Sequence, residues 1–331
     1  MKPGSVILKH QRLILILLAV VFGFFAIGHL YFLNNRIALL ETSIAEKDKE
    51  IAELGRERCS AHGPQKSNAT IRYTIQSSGG TRTYRVETPA QFSNTSRTPM
   101  VIVFSGKGSD GASIKTVADF HDDSVLSVYP DPLIGTDGHQ AWQGAPYSPV
   151  GVSDVRFVRD MMHQISANYC VDSSRIYTVG MSNGGGIAWL SACYMSDTIA
   201  ATATISGAYY GNYQRCPENR KPLSILAVHG KLDQQVPYKG DLSRGLPPVT
   251  AWVRARAQDE GCVAKPSIQS ARNYTITTWE PCAGNSTVTL VSIGDGPHGW
   301  MKLPDVTADP NLPNDNLTGF VWEFLRQHRR V

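Results

Sequence analysis

None of the six cysteines in this 331-residue chain has C-x-x-C spacing, which leaves no metal motif built on paired cysteines. None of the six precedes residue 59. Charged residues are few, 18% against 42% apolar, and that balance excludes a solvated disordered chain. The formal net charge of +4 gathers partly at the ends, with Lys2, Lys9 and Arg12 at one and Arg326, Arg329 and Arg330 at the other. No basic stripe interleaved with aromatics crosses the body of the chain, so nucleic acid is excluded as a partner. There is also no internal repeat, which excludes a solenoid or other array.

What the chain does contain begins with one unbroken apolar run. Residues 13–33 read LILILLAVVFGFFAIGHLYFL, with His29 their only strongly polar member. A helix of that length crosses a bilayer. The basic residues before it predict a cytoplasmic N-terminus, residues 1–12, and export of everything after the span. The run exceeds a signal-peptide core and no A-x-A site follows, so an uncleaved, single-pass type II anchor is expected rather than a cleaved leader. Residues 34–58 place Ile37, Leu40, Ile44, Ile51 and Leu54 at heptad positions, with Lys47 interrupting. This stalk is expected either to associate two or three chains as a coiled coil or to serve as a solvated helical spacer. Six cysteines confined to the exported side suggest disulfides in an oxidising compartment, periplasmic, extracellular or lumenal. Cys262 with Cys282 is the expected pair, because the two bracket the strand-like Tyr274-Thr275-Ile276-Thr277-Thr278-Trp279. Sequons at Asn68, Asn94, Asn273, Asn285 and Asn316 matter only in a eukaryotic secretory path.

From residue 70 onward strands alternate with helices. Ile71–Ile75 and Thr83–Glu87 alternate apolar and polar residues, as an opening antiparallel hairpin does. Met100-Val101-Ile102-Val103-Phe104 is apolar throughout, the pattern of a strand buried on both faces. Further strands are expected at 124–129, 175–179, 201–206, 223–228 and 288–293. Helices are expected from Ser153, with Val155, Val158, Met162 and Ile165 on one face, and around Phe320, Val321, Phe324 and Leu325. The order predicts an α/β fold: a mostly parallel central sheet with helices on both faces.

The stretch that points to chemistry is Gly180-Met181-Ser182-Asn183-Gly184-Gly185-Gly186. It joins a β-branched strand to a helical run, the setting a G-x-S-x-G nucleophile elbow needs. The tight turn would hold Ser182 in a strained backbone and lift its hydroxyl to a helix N-terminus, where an oxyanion is favoured. A serine hydroxyl needs a base, and the base needs an orienting acid. Both follow in chain order at strand ends: Asp233 after the strand at 223–228, and His298 after the strand at 288–293. Ligands of open α/β sheets bind beyond those carboxyl ends. Singly, Asp233 reads equally as a turn cap and His298 as a loop histidine; together and in this order they read as Ser182-Asp233-His298. Asp295 reads as a turn residue and His229 as structural. The oxyanion donors expected are the amides of Asn183 and of Lys107, in the loop Ser105-Gly106-Lys107-Gly108. Trp142, Tyr147 and Trp300 are read as an aromatic wall for an acyl group, with ordinary packing as the alternative.

These residues resemble a family. Gly180-Met181-Ser182-Asn183-Gly184-Gly185, His229-Gly230-Lys231-Leu232-Asp233-Gln234-Gln235-Val236-Pro237-Tyr238 and Gly296-Pro297-His298-Gly299-Trp300 are similar to the motifs of the polyhydroxybutyrate depolymerase and feruloyl or acetylxylan esterase group of α/β-hydrolases. Ser105 stands where that group usually has histidine, and Pro297 where it usually has glycine. The resemblance covers about residues 70–300 and implies an α/β-hydrolase fold, its domain expected at 59–331, with hydrolysis of carboxylic esters of the polyhydroxyalkanoate, feruloyl or acetyl type through an acyl-enzyme. Ser182 would be the nucleophile, Asp233 the acid and His298 the base, with no metal and no cofactor. A serine peptidase of the same fold and a non-catalytic surface binding protein are the competing readings.

Overall fold

Apolar and β-branched runs build a single ten-stranded sheet in the computed structural model. The structure describes residues 67–330 apart from 94, 121–123, 212–214, 272 and 302–316. The chain divides into two compact units, Met1–Ser60 and Ala61–Val331. The expected span at 13–33 and stalk at 34–58 lie outside the described residues, as do Asn94 and Asn316. Among the described residues no helix is long and apolar enough to cross a membrane.

The strands are β1 (Thr70–Ser77), β2 (Gly80–Glu87), β3 (Thr98–Phe104), β4 (Leu126–Pro130), β5 (Leu133–Ile134), β6 (Gln140–Ala141), β7 (Val171–Met181), β8 (Ala201–Ile205), β9 (Ser224–Gly230), β10 (Ser267–Ser270), β11 (Tyr274–Trp279) and β12 (Val288–Ile293). The large sheet runs β1-β2-β4-β3-β7-β8-β9-β12-β11-β10, and β5 pairs separately with β6. From β4 through β12 every pairing is parallel. An antiparallel hairpin flanks this centre on each side. The carboxyl ends of β3, β7, β8, β9 and β12 therefore share one edge, and every expected catalytic residue follows one of them.

Helices cover both faces, as the sequence predicts. In β3, Met100, Ile102 and Phe104 point to one core and Val101 and Val103 to the other. The first core is closed by α2 (Asp154–Asn168), α3 (Asn183–Tyr194) and α4 (Val249–Asp259), the second by the short α1 (Gly111–Lys115) and by α5 (Leu317–Arg326). Each fully buried large apolar side chain contributes about 1.5–3 kcal/mol, and Trp189 stacks edge-on against Trp252 at 5.5 Å to close the first core. Helix α2 begins where Ser153 accepts a hydrogen bond from the Arg156 amide at 3.2 Å, a cap worth about 1 kcal/mol. The expected strands are all present. Three strands escape sequence reading: the two-residue β5 and β6, and β10, Ser-Ile-Gln-Ser, which is exposed along its whole length and carries no apolar alternation to announce it.

Cys262 is bonded to Cys282 as expected, with Cα atoms 4.0 Å apart. Cys193 is bonded to Cys216, and Cys170 is also disulfide-bonded.

Candidate active site

Ser182 ends β7 and opens α3 with φ 57° and ψ −124°, a backbone conformation that side chains rarely adopt. Two close approaches enforce the turn. A Cβ on Gly180 would lie 2.0 Å from the Gly184 carbonyl oxygen, and one on Gly184 would lie 2.3 Å from the Ser105 carbonyl oxygen. Only glycine fits either place. The Ser182 amide donates to the Ile205 carbonyl at 2.9 Å and the Ser182 carbonyl accepts from Ala208 at 2.9 Å, so the end of β8 fixes the serine from below.

The same strand end reaches the histidine loop. Ser206 Oγ accepts from the Gly299 amide at 3.2 Å and donates to the Gly299 carbonyl at 3.3 Å. His298 and Asp233 meet there: Nδ1 lies 2.8 Å from Oδ2. Facing a carboxylate, Nδ1 carries the proton, which leaves the Nε2 lone pair free. The two loops are packed so closely that a Cβ on Gly230 would lie 2.1 Å from the Gly296 carbonyl oxygen. Ser182 Oγ makes no hydrogen bond among the described residues, so the structure links serine to histidine through β8 and not through their side chains.

Asp233 is held from every side. Its side chain is fully buried, and Oδ1 accepts from the amides of Gln235 and Val236 at 2.9 and 2.8 Å. Burial works against its charge, but the hydrogen bonds from His229, His298 and the Val236 amide outweigh it and hold the carboxyl well below the usual carboxylate range. His229 is more than a structural turn residue. Its Nε2 sits 3.1 Å from Asp233 Oδ2 and 2.8 Å from the Val236 carbonyl. Both neighbours are acceptors, so Nε2 carries the proton. Two imidazoles thus share one carboxylate oxygen. The signal for this was the four-residue spacing of His229 and Asp233, which the turn folds back onto itself. Asp295 stays exposed and bonds Asn273.

On the opposite wall, a Cβ on Gly106 would stand 3.4 Å from Ser182 Cβ, so the loop after β3 lies against the serine. Asn183 is buried, and its side chain is locked onto residue 142. Oδ1 accepts from the Trp142 amide at 2.7 Å, and Nδ2 donates to the Trp142 carbonyl at 3.3 Å. The Trp142 indole N–H then donates to the Ser105 carbonyl at 2.9 Å. One residue therefore clamps both segments that carry the expected oxyanion donors.

This corrects the reading of Trp142 as part of an aromatic wall. It has no exposed surface and packs edge-on to Phe104 at 5.2 Å; a Trp with both its backbone groups and its N–H engaged is a brace. Trp300 is engaged by other partners, donating from its indole to Thr318 Oγ1 at 3.1 Å and packing edge-on against Phe120. Of the three, Tyr147 packs into a cluster that reaches Ala208. It joins Ala145, Ala208, Tyr210, Val236 and Leu246 in a small apolar cluster, and Ala208 bonds Ser182 directly. Lys107 Nζ lies 4.4 Å from the Tyr147 ring and pairs with Asp137.

With this geometry in view, the chain can be set beside known proteins. The family described as Esterase PHB depolymerase matches residues 90–218. Feruloyl esterase B of Piromyces equi is 29% identical over 236 residues, 65% of this chain and 43% of that protein. Feruloyl esterase D of Neurospora crassa is 25% identical over 260 residues, 76% of this chain and 84% of its own length. The chain thus spans less than half of the first relative and most of the second. Among solved structures, an acetyl xylan esterase from Aspergillus awamori superposes with a TM-score of 0.54 at 14% identity, over 70% of this chain and 94% of that one; at that identity the likeness speaks for the fold.

Proposed function

We propose, from the likeness of this chain to polyhydroxybutyrate depolymerase-type and feruloyl esterases, that it is a serine hydrolase of carboxylic esters, of the feruloyl or acetyl type, working through an acyl-enzyme. His298 Nε2 takes the proton of Ser182 as Oγ attacks the ester carbonyl. Asp233 holds the imidazole in the tautomer that leaves Nε2 free and stabilises the imidazolium that forms. The amides of Asn183 and Lys107 stabilise the tetrahedral oxyanion. His298 then protonates the leaving alcohol, and water enters by the reverse of the same steps. The serine-to-histidine contact closes when substrate enters, as catalytic hydrogen bonds commonly do.

The observation that carries this reading is the 2.8 Å contact of His298 Nδ1 with a buried Asp233 on the edge where a strained serine opens a helix. In the full chain solubilised in detergent, Ser182→Ala should lower p-nitrophenyl acetate turnover by about 10⁴-fold or more and abolish labelling by a fluorophosphonate probe, with the circular dichroism unchanged. Undiminished turnover would remove Ser182 from the mechanism.

The same proposal includes its setting: a domain outside the cytoplasm, tethered by residues 13–33 and associated with other copies through residues 34–58. The disulfides Cys193–Cys216 and Cys262–Cys282 support an oxidising compartment. Thiol alkylation in intact cells before lysis should find Cys262 and Cys282 blocked as a disulfide; free, alkylated thiols there would put the domain in the cytoplasm. Deleting residues 34–58 should lower the mass seen by light scattering; an unchanged mass would take the stalk out of assembly.

A further inference from the structure

A groove of about 590 Å³ lies on the α4 face of the sheet, between that helix and the β10–β11 hairpin. Its floor is Thr275, Thr277 and Ser292, with Thr250 on the helix and Trp279 at the far end. By strand rise the β11 stretch from Thr275 to Trp279 extends about 13 Å, long enough for more than one sugar ring. The wall beyond is residues 263–266, anchored at its base by the Cys262–Cys282 disulfide.

Three cations stand around it: Lys231, Arg254 and Lys265. Among the described residues no acidic side chain lines the groove. The cations are also unpaired, since none of the three has an ion-pair partner among the described residues, while Arg82, Arg85, Lys107, Lys115, Arg175, Arg220 and Arg256 all do. Other described cations, Arg159 and Lys239 among them, also lack an ion-pair partner; what sets these three apart is that they line one cavity.

The groove is continuous with the catalytic edge. Lys231 directly follows β9, two residues before Asp233, and its amide donates to Ile293 at 2.8 Å, while the next amide donates to Gly296 in the His298 loop at 3.0 Å. Tyr238, whose hydroxyl meets Ser292 Oγ at 2.6 Å, lines the same end. A chain lying on the floor would therefore emerge beside the histidine.

We propose, resting on the esterase reading above, that this groove holds the alcohol side of the ester and that this alcohol is an acidic polysaccharide, a glycan bearing uronate carboxylates. Each part of the lining has a matching part in such a chain. The hydroxyl floor meets sugar hydroxyls, the Trp279 indole gives a flat apolar face for a ring, and the three cations meet carboxylates spaced along a polymer. A nucleic acid would need a row of stacking rings, and the groove has one indole and one phenol. A neutral glycan would leave the cations unanswered.

Binding tests this apart from turnover. The Ser182→Ala full chain in detergent is titrated calorimetrically with oligogalacturonate, with the fully methyl-esterified oligomer, and with inorganic polyphosphate. Oligogalacturonate should bind, weaken as salt rises, and lose affinity by about tenfold or more in the Lys231→Gln, Arg254→Gln, Lys265→Gln triple variant. Trp279→Ala should weaken it too, with the methyl-esterified oligomer and polyphosphate binding far less well. The triple variant should keep the circular dichroism and the urea midpoint of its parent, which reports that it is folded. Equal binding of the methyl-esterified oligomer, equal binding of polyphosphate, or affinity indifferent to the triple change would each overturn the proposal. If Ser182 proves dispensable for turnover, the esterase mechanism falls while the binding result still stands or fails by itself.

Discussion

Asp233 and Asp154 are both sealed from solvent, and the molecule treats them in opposite ways. Asp154 faces a permanent cation: Arg82 Nη2 lies 2.7 Å from Oδ1, both side chains have no exposure, and the guanidinium rests on the Phe157 ring at 3.9 Å. Its other oxygen accepts from the Gln143 amide at 2.6 Å, and Gln143 Oε1 accepts in return from the Asp154 amide at 2.7 Å. Among the described residues Asp233 faces no arginine or lysine. Its partners are two imidazoles and two amides. The first carboxylate is locked, because an arginine never gives up its proton. The second is held as firmly in place but is surrounded by groups through which a proton can move. One wall of the site, from Arg82 through Gln143 to Trp142 and Asn183, is thus charge-fixed scaffolding. The other, made by the ends of β9 and β12, is fixed in geometry and free in protonation.

Substitution should separate the two carboxylates. The largest effect belongs to Asp233→Asn, which keeps the shape and removes the charge that selects the histidine tautomer. Turnover of p-nitrophenyl acetate should fall by about 10⁴-fold in a chain that still folds by circular dichroism. A loss under about tenfold would mean that something else orients His298. Asp154→Ala should act on stability instead, leaving a buried guanidinium without its partner and costing about 3–5 kcal/mol in urea unfolding. Changing both Arg82→Met and Asp154→Leu should recover most of that loss. If the single and double changes destabilise equally, the Arg82–Asp154 pair is not a unit.

The sequence was readable wherever one local pattern sufficed. Continuous apolar runs announced β3, β9 and β12, and the G-x-S-x-G turn announced its own strand and helix. The neighbourhood of His298 and Asp233 was readable because a parallel sheet puts successive loops on one edge. What stayed hidden depended on long-range partners. Nothing near Arg82 indicates that its charge meets Asp154, which lies 72 positions later in the chain. Trp142 looked like a ligand wall because an isolated aromatic in a loop says nothing of which way its ring turns. His229 was read as a turn residue because its contact with Asp233 appears only once the turn has closed.

The smaller effects refine the contrast. Trp142→Phe keeps the ring and removes the N–H that reaches Ser105. The buried carbonyl left unpaired should cost about 1–3 kcal/mol of stability. The two oxyanion segments would lose their shared brace, so kcat should fall by about tenfold with KM unchanged. A rise in KM alone would return Trp142 to the role of a substrate contact. His229→Gln should act on the acid wall only, lowering kcat less than Asp233→Asn does. It also removes a group that favours the ionised carboxylate, so the acid limb of the kcat profile should move to higher pH. No movement of that limb would detach His229 from Asp233.

The gentlest test uses pH and needs a reference group remote from the site. His328 supplies one. It lies against Phe324 and Ser224, and burial pushes its pKa down from 6.5 to about 4. A histidine depressed in the folded state is protonated first in the unfolded chain, so its contribution to stability is complete above pH 6.5 and drains away as pH falls toward about 4. Asp233 is also depressed, but from 3.8, the ordinary carboxylate value. Its contribution is present above about pH 4 and is lost only as pH falls further. The two windows barely overlap. In urea unfolding followed across pH, His328→Gln should flatten the slope between 6.5 and about 4 and leave the steeper loss below it. Asp233→Asn should do the reverse. If both changes flatten the same window, the acid sensitivity of the fold has a single source, and Asp233 is not the proton-sensitive carboxylate that sets it apart from Asp154.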